Sequence, residues 1–129
     1  MVAGADHFGE MQAWDLDTGK KVWTTPLPSQ NWGPLLATGG AVLFSGGTND
    51  HKFRAFDAKS GKVLWEFPTQ SGITGVPSSF QVDGKQYIAV QSGWGVDGAR
   101  MQARLDLLFP GKYPDVPQGG AIWVFALRN

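Results

Sequence analysis

Short apolar runs dominate this chain, and most alternate with polar residues at the two-residue period of a half-buried strand. Residues 11–15 and 22–27 form one such pair around the turn sequence Asp15-Leu16-Asp17-Thr18-Gly19. Residues 35–37 and 41–45 flank Gly39-Gly40, a tight-hairpin pair. Residues 53–57 and 63–67 repeat the first arrangement around Asp57-Ala58-Lys59-Ser60-Gly61. Residues 76–82 and 86–91 flank Asp83-Gly84, the strongest short hairpin signal in the chain. The rhythm fails between Gly95 and Gly119. There, residues 99–108 predict a short helix that Phe109-Pro110-Gly111 would end. A last strand is expected over 122–127.

The two turn sequences belong to one internal repeat. Ala13-Trp14-Asp15-Leu16-Asp17-Thr18-Gly19-Lys20-Lys21-Val22-Trp23 returns without a gap at residues 55–65, with Ala13 on Ala55, Asp15 on Asp57, Gly19 on Gly61 and Trp23 on Trp65. A period of about 40 to 45 residues is that of a four-stranded propeller blade. The local chemistry has a structural explanation. Each Asp ends a strand and accepts from the amides that follow, each hydroxyl reinforces the same turn, and each Gly takes positive φ at no steric cost. Each Trp then returns on the next strand, where its ring fills the seam between neighbouring blades. The segment Ile122-Trp123-Val124-Phe125 resembles the strand carrying Ala13 and Trp14. The expected fold is therefore all-β, a partial β-propeller of about two and a half four-stranded blades occupying residues 1–129, with an insertion at about 95–119.

Composition narrows the function classes. The 129 residues include 18 Gly and 8 Pro, which suits many turns, and 42% apolar residues, enough for a core. Eleven basic and eleven acidic side chains cancel, so the basic excess of a nucleic-acid binder is absent. The chain has no Cys, which removes disulfides, thiolate metal sites and Cys nucleophiles. His7 and His51 lack ligand spacing and read as surface or turn residues. Asn49-Asp50 reads as a hairpin turn, and Gly46-Gly47 lacks the strand-to-helix setting of a phosphate loop. Lys20 and Lys62 read as solvated charges at equivalent turns. Asp97, Asp106 and Asp115 lie in the insertion and read as solvated. No charged n-region or apolar h-region is visible at the N-terminus.

The repeat Ala-x-Asp-x-x-Thr-Gly-x-x-x-Trp resembles the tryptophan-docking motif of the pyrroloquinoline quinone (PQQ) dependent alcohol dehydrogenases, which form eight-bladed propellers. The resemblance runs from about Gly9 to Leu127. It extends to Asn31-Trp32-Gly33, Leu36-Ala37-Thr38-Gly39-Gly40, Ser71-Gly72-Ile73, Gln86-Tyr87-Ile88-Ala89-Val90 and Gln118-Gly119-Gly120. It is closer to the ethanol and lanthanide-type members than to the calcium methanol type, and it lies in the C-terminal part of the family's order.

That resemblance implies a function and a small set of site residues. Asn31 and Trp32 match an Asn-Trp pair that contacts the quinone, and Trp94, in Ser92-Gly93-Trp94-Gly95, matches a second Trp near the cofactor. An amide donates to a quinone or carboxylate oxygen, while an indole offers a flat apolar surface and one N–H. The implied parent is a periplasmic enzyme that oxidises primary alcohols, with a Ca²⁺ or lanthanide ion beside the quinone and a cytochrome c as electron acceptor. Its catalytic and metal-ligating residues are expected upstream of this segment, so the 129 residues alone are expected not to catalyse. The alternative is a non-enzymatic propeller that scaffolds outer-membrane assembly, which has no need of the Asn-Trp pair. Open blade edges would make an isolated piece of propeller marginally stable or prone to associate with itself.

Overall fold

The computed structural model describes residues 6–94 and 98–126. Gly95, Asp97 and Leu127, named above, lie outside the described residues. Among the described residues nine strands form three antiparallel sheets. β1 (Gly9–Trp14) pairs with β2 (Lys21–Leu27); β3 (Leu35–Ala37), β4 (Val42–Ser45), β5 (Lys52–Asp57) and β6 (Val63–Pro68) follow one another as a complete four-stranded blade. β7 (Ser78–Val82), β8 (Lys85–Ser92) and β9 (Ala121–Ala126) form the third sheet, with α1 (Gly98–Leu108) between β8 and β9. The all-β blade architecture follows the sequence period. β9 pairs with β8 as β5 pairs with β4, which puts Phe125 opposite Ile88 and Phe56 opposite Leu43.

The repeated turns are nearly superposable in their bonding. Asp15 Oδ1 accepts from the Thr18 amide and hydroxyl at 2.7 Å each, and Asp57 Oδ1 accepts from the Ser60 amide at 2.7 Å and its hydroxyl at 2.8 Å. Gly19 and Gly61 take φ of 64° and 71°, and both β1 and β5 shift register just before the turn. Asp83 and Gly84 both have positive φ, the pair required by a type I′ turn.

Two of the departures from the expected strand bounds have a local cause. The fourth strand begins at Val42, because Ala41, with φ 58°, closes the preceding turn by donating its amide to Thr38 O at 3.1 Å. The positive φ therefore falls on Ala41 and not on Gly39 or Gly40. β7 begins at Ser78, not at residue 76, since Pro77 has no N–H to give a ladder and Val76 is 72% exposed. The helix matches its expectation to within one residue; Phe109 N bonds Leu105 O, and Gly111 turns the chain away with φ 70°.

Packing between sheets makes the core. Met11, Leu27 and Phe56, flanked by Trp23 and Leu43, fill the first seam. Trp23 crosses that seam and donates its indole N–H to Ala58 O at 3.0 Å, while Thr25 Oγ1 donates to Gly61 O at 2.7 Å. The second seam holds Phe53, Ile73, Ile88 and Val90. Its walls are aromatic: Phe53 stacks on Phe125 at 5.7 Å and Trp65 meets Phe125 edge-on at 5.1 Å. Burying a side chain such as Phe53 contributes roughly 2–3 kcal/mol. A third cluster, Trp94 with Met101 and Val116, seats the helix.

Candidate functional site

In an antiparallel meander successive connections fall at alternate ends of the sheet. Here the short turns (15–20, 38–41, 58–62 and 83–84) share one end, and the long connections (28–34, 46–51, 69–77 and 93–120) share the other. The three expected site residues all belong to the long-connection end.

Asn31 and Trp32 sit on the β2–β3 connection, where it docks on the β4–β5 connection. The Trp32 amide donates to Gly47 O at 3.0 Å. Asn31 Oδ1 accepts from the Gly33 amide at 3.0 Å, and Asn31 Nδ2 donates to Ser45 Oγ at 3.3 Å. The second N–H of that amide has no partner among the described residues. Backbones approach too closely here for side chains: a Cβ on Gly33 would lie 2.2 Å from Gly46 O, and 3.0 Å from Ile73 O. The Trp32 indole stays 43% exposed.

Trp94 sits on the β8–β9 connection, in a different setting. Ile73 bridges to Gly93, and the Gly93 amide donates to Gly72 O at 2.6 Å, so the β6–β7 and β8–β9 connections run together. Gly72 lies flat on the indole, where a Cβ would fall 2.3 Å from ring carbons, and Gly98 of the helix covers the Trp94 Cβ. The ring is 4% exposed. Its remaining edge lines a cleft of about 310 Å³ with Gly98, Gln102, Asp106, Asp115 and Gln118. The structure thus brings Asn31 and Trp32 together on one corner, and puts Trp94 behind the 72–73 backbone on the next.

A polar lattice ties these connections into one surface. Ser29 Oγ accepts from the Asn49 amide at 2.8 Å, and Asn49 Nδ2 donates to Gln102 Oε1 at 3.0 Å. Tyr113 donates its hydroxyl to Pro28 O at 3.1 Å, and Ser71 to Pro117 O at 2.5 Å. Thr69 Oγ1 donates to His51 O at 2.6 Å, and the His51 ring returns a bond to Thr69 O. Asn49-Asp50 is the expected turn, closed by the His51 amide on Thr48 O, although the Asn49 side chain is buried. Arg54, also buried, clamps that turn through Asp50 and Thr48. Burial pushes the Asp50 carboxyl up, but the bonds from Arg54 and Thr48 and the Arg54 charge outweigh it, leaving it below the ordinary carboxylate value. Asp106 accepts from Gln102 at 3.1 Å.

The sequence reading missed the serines and glycines that build this surface. A signal for them existed. Ser45-Gly46 ends β4 and Ser92-Gly93 ends β8, and Pro28-Ser29-Gln30 recurs as Pro68-Thr69-Gln70. Those dipeptides and tripeptides are a second internal repeat, shorter than the Asp-x-x-Thr-Gly one.

Consecutive blades built from repeated hairpins, with one end closed by long interlocked connections, define a segment of a β-propeller. The chain matches the family described as PQQ: glucose/ethanol/alcohol dehydrogenase, beta-propeller domain, over residues 1–88, and it belongs to that family of quinone-dependent dehydrogenases. It is 43% identical over 131 residues to a quinoprotein ethanol dehydrogenase of Pseudomonas aeruginosa, covering 96% of this chain and 19% of that protein. It is 43% identical over 88 residues to the 1-butanol dehydrogenase (cytochrome c) of Thauera butanivorans, covering 68% of this chain and 13% of that protein. A europium-containing methanol dehydrogenase superposes with a TM-score of 0.78 at 33% identity, over 96% of this chain and 24% of its own. The chain therefore spans about a fifth of the length of the curated relatives it matches. No helix among the described residues is long and apolar enough to cross a membrane.

Proposed function

We propose that these residues form part of the cofactor wall of a PQQ-dependent dehydrogenase that oxidises primary alcohols to aldehydes, within the C-terminal portion of its propeller. One observation carries the reading: a half-exposed indole, Trp32, follows an amide, Asn31, that is fixed by its neighbours and keeps one N–H unspent among the described residues. That pair fits a flat polar ring system bearing oxygen acceptors. The quinone, when bound, accepts the two electrons that leave the alcohol. In this reading Asn31 directs a hydrogen bond to a ligand oxygen, Trp32 covers a ring face, and Trp94 acts as a buried support whose edge lines the adjoining cleft.

The resemblance also implies a calcium or lanthanide ion, but the residues described here do not fit one, since no three His, Cys, Asp or Glu side chains come together among them. A cytochrome c acceptor is supported by the name of the Thauera relative, and a periplasmic location by the family resemblance. Quinone titration of the full-length protein, freed of cofactor and followed by tryptophan fluorescence, tests the proposal. Asn31→Ala and Trp32→Ala are each expected to weaken binding about tenfold, the loss of one directed hydrogen bond or one stacking face. Unchanged affinity in both variants would overturn it.

A further inference from the structure

We propose that Ser45 and Gly47 are positioning residues that fix the Asn31 amide with its nitrogen end, and one free N–H, available to a ligand. The proposal rests on the quinone-site reading above and extends it to residues which that reading leaves out. The argument is one of hydrogen-bond polarity. The Ser45 hydroxyl has a single proton, and Gly46 O, an acceptor only, lies 3.2 Å from it. With its proton on Gly46 O, Ser45 Oγ is left to accept from Asn31, and the amide atom 3.3 Å away is the nitrogen. The Gly33 amide, a donor only, imposes the matching condition on the oxygen from the other side at 3.0 Å. Two independent partners therefore choose the same amide orientation.

Gly47 provides the room for this arrangement. Its φ is +105°, and a Cβ there would fall 2.1 Å from Gly33 N and 2.6 Å from Asn31 Oδ1. Its carbonyl also receives the Trp32 amide, so the 31–33 corner rests directly on Gly47 backbone. Ser45 is 4% exposed and bonds the Asn31 side chain, so its role is assigned through Asn31.

The internal repeat supplies a control. Ser92 occupies the same place at the end of β8, is equally buried, and bonds the preceding connection through Ser71 N at 3.2 Å and Ser71 O at 2.9 Å. Its partners are backbone atoms, with no side-chain amide to orient. Ser45→Ala, Ser92→Ala, Asn31→Ala and Asn31→Asp are compared in the full-length protein, reading quinone affinity, the melting midpoint without quinone, and the Asn31 side-chain amide resonance. Ser45→Ala is expected to weaken quinone binding about fivefold and to shift the Asn31 resonance. Ser92→Ala is expected to lower the melting midpoint comparably and do neither. Asn31→Asp, which puts an acceptor where the donor stood, should bind more weakly than Asn31→Ala. If Asn31→Ala weakens binding while Ser45→Ala and Ser92→Ala have equal affinity, the positioning role is overturned and the quinone site stands. If Asn31→Ala alone leaves affinity unchanged, the positioning role is overturned, and if Trp32→Ala does so as well the quinone-site reading falls with it.

Discussion

The two ends of these sheets are built on different principles. At the turn end, each of these connections carries a closing bond of its own, with Asp15 bonded to Thr18, Asp57 to Ser60 and Thr38 to Ala41, even where Trp23 and Ala41 also reach the 58–62 turn. At the other end hardly any connection is self-sufficient. Pro28 is held by Tyr113, Ser29 by Asn49, Asn49 by Gln102 and Ser71 by Pro117. A part made the same way in every unit is a structural part. The end whose members differ from blade to blade, and which depends on its neighbours for its shape, is where a single ligand can be gripped by several loops at once. Substitutions at matched positions put this contrast to the test.

The largest effect is expected from glycine at the two ends. Gly33→Ala drives a methyl to 2.2 Å from Gly46 O, a backbone atom that no rotamer change can move. Gly84→Ala places one where nothing lies within 4 Å, at a φ of +77°. The first should cost about 3 kcal/mol or more by overpacking. The second should cost only about 1 kcal/mol of left-handed backbone strain. Urea denaturation of both variants gives the comparison. Equal losses would mean that the interlocked end yields as easily as the turns, and the contrast would be lost.

The second test lies within the repeat itself. Gly19 and Gly61 occupy the same position of the two copies and share a positive φ, yet their surroundings differ. Nothing lies within 4 Å of a Cβ on Gly19, whereas one on Gly61 would fall 2.5 Å from both Thr25 Oγ1 and Trp23 Cε3. The Trp23 ring of the preceding sheet covers that turn. Gly19→Ala should therefore cost about 1 kcal/mol and Gly61→Ala about 3 kcal/mol. A matching loss at both sites would show that Trp23 gives way, and that the first seam is looser than its indole hydrogen bond suggests.

This pair also marks how far the sequence could be read. The Asp-x-x-Thr-Gly hairpins, the Asp83-Gly84 turn and the short helix were legible because their causes are local: a side chain bonding three residues ahead, or a glycine at the one φ a turn demands. Asn31 and Trp32 were legible only through family resemblance. The lattice that holds them was not, because a short repeat marks some of its members but not its bonds, which join residues 53, 46 and 85 positions apart. Ala41 shows the reverse failure. Two glycines beside it looked like the natural carriers of positive φ, but the turn placed that strain on the alanine, where the strand pairing from Val42 onward fixed the register.

The smallest expected effect is one of pH, since the carboxylates concerned are wholly or partly exposed. The Thr18 and Ser60 bonds hold Asp15 and Asp57 below the ordinary value of 3.8, and at Asp50 the bonds from Arg54 and Thr48 outweigh burial to the same end. A group whose folded value lies below its unfolded one adds stability that is fully present above the unfolded value. That stability is lost as the pH falls through the folded value. The contribution of these three carboxylates should thus be level near neutrality and decline below about pH 4. The two ends should not share the decline equally. Protonating Asp15 or Asp57 weakens turns whose groups can turn to water. Protonating Asp50 leaves Arg54, 7% exposed, with Glu66 at 3.4 Å as its remaining carboxylate partner, and a buried guanidinium tolerates that poorly. Asp50→Asn should therefore flatten the acid limb of a urea-midpoint profile more than Asp15→Asn and Asp57→Asn combined. The opposite ranking would place the pH-sensitive electrostatics at the repeated turns, and would remove charge from the reasons why the loop end holds its shape.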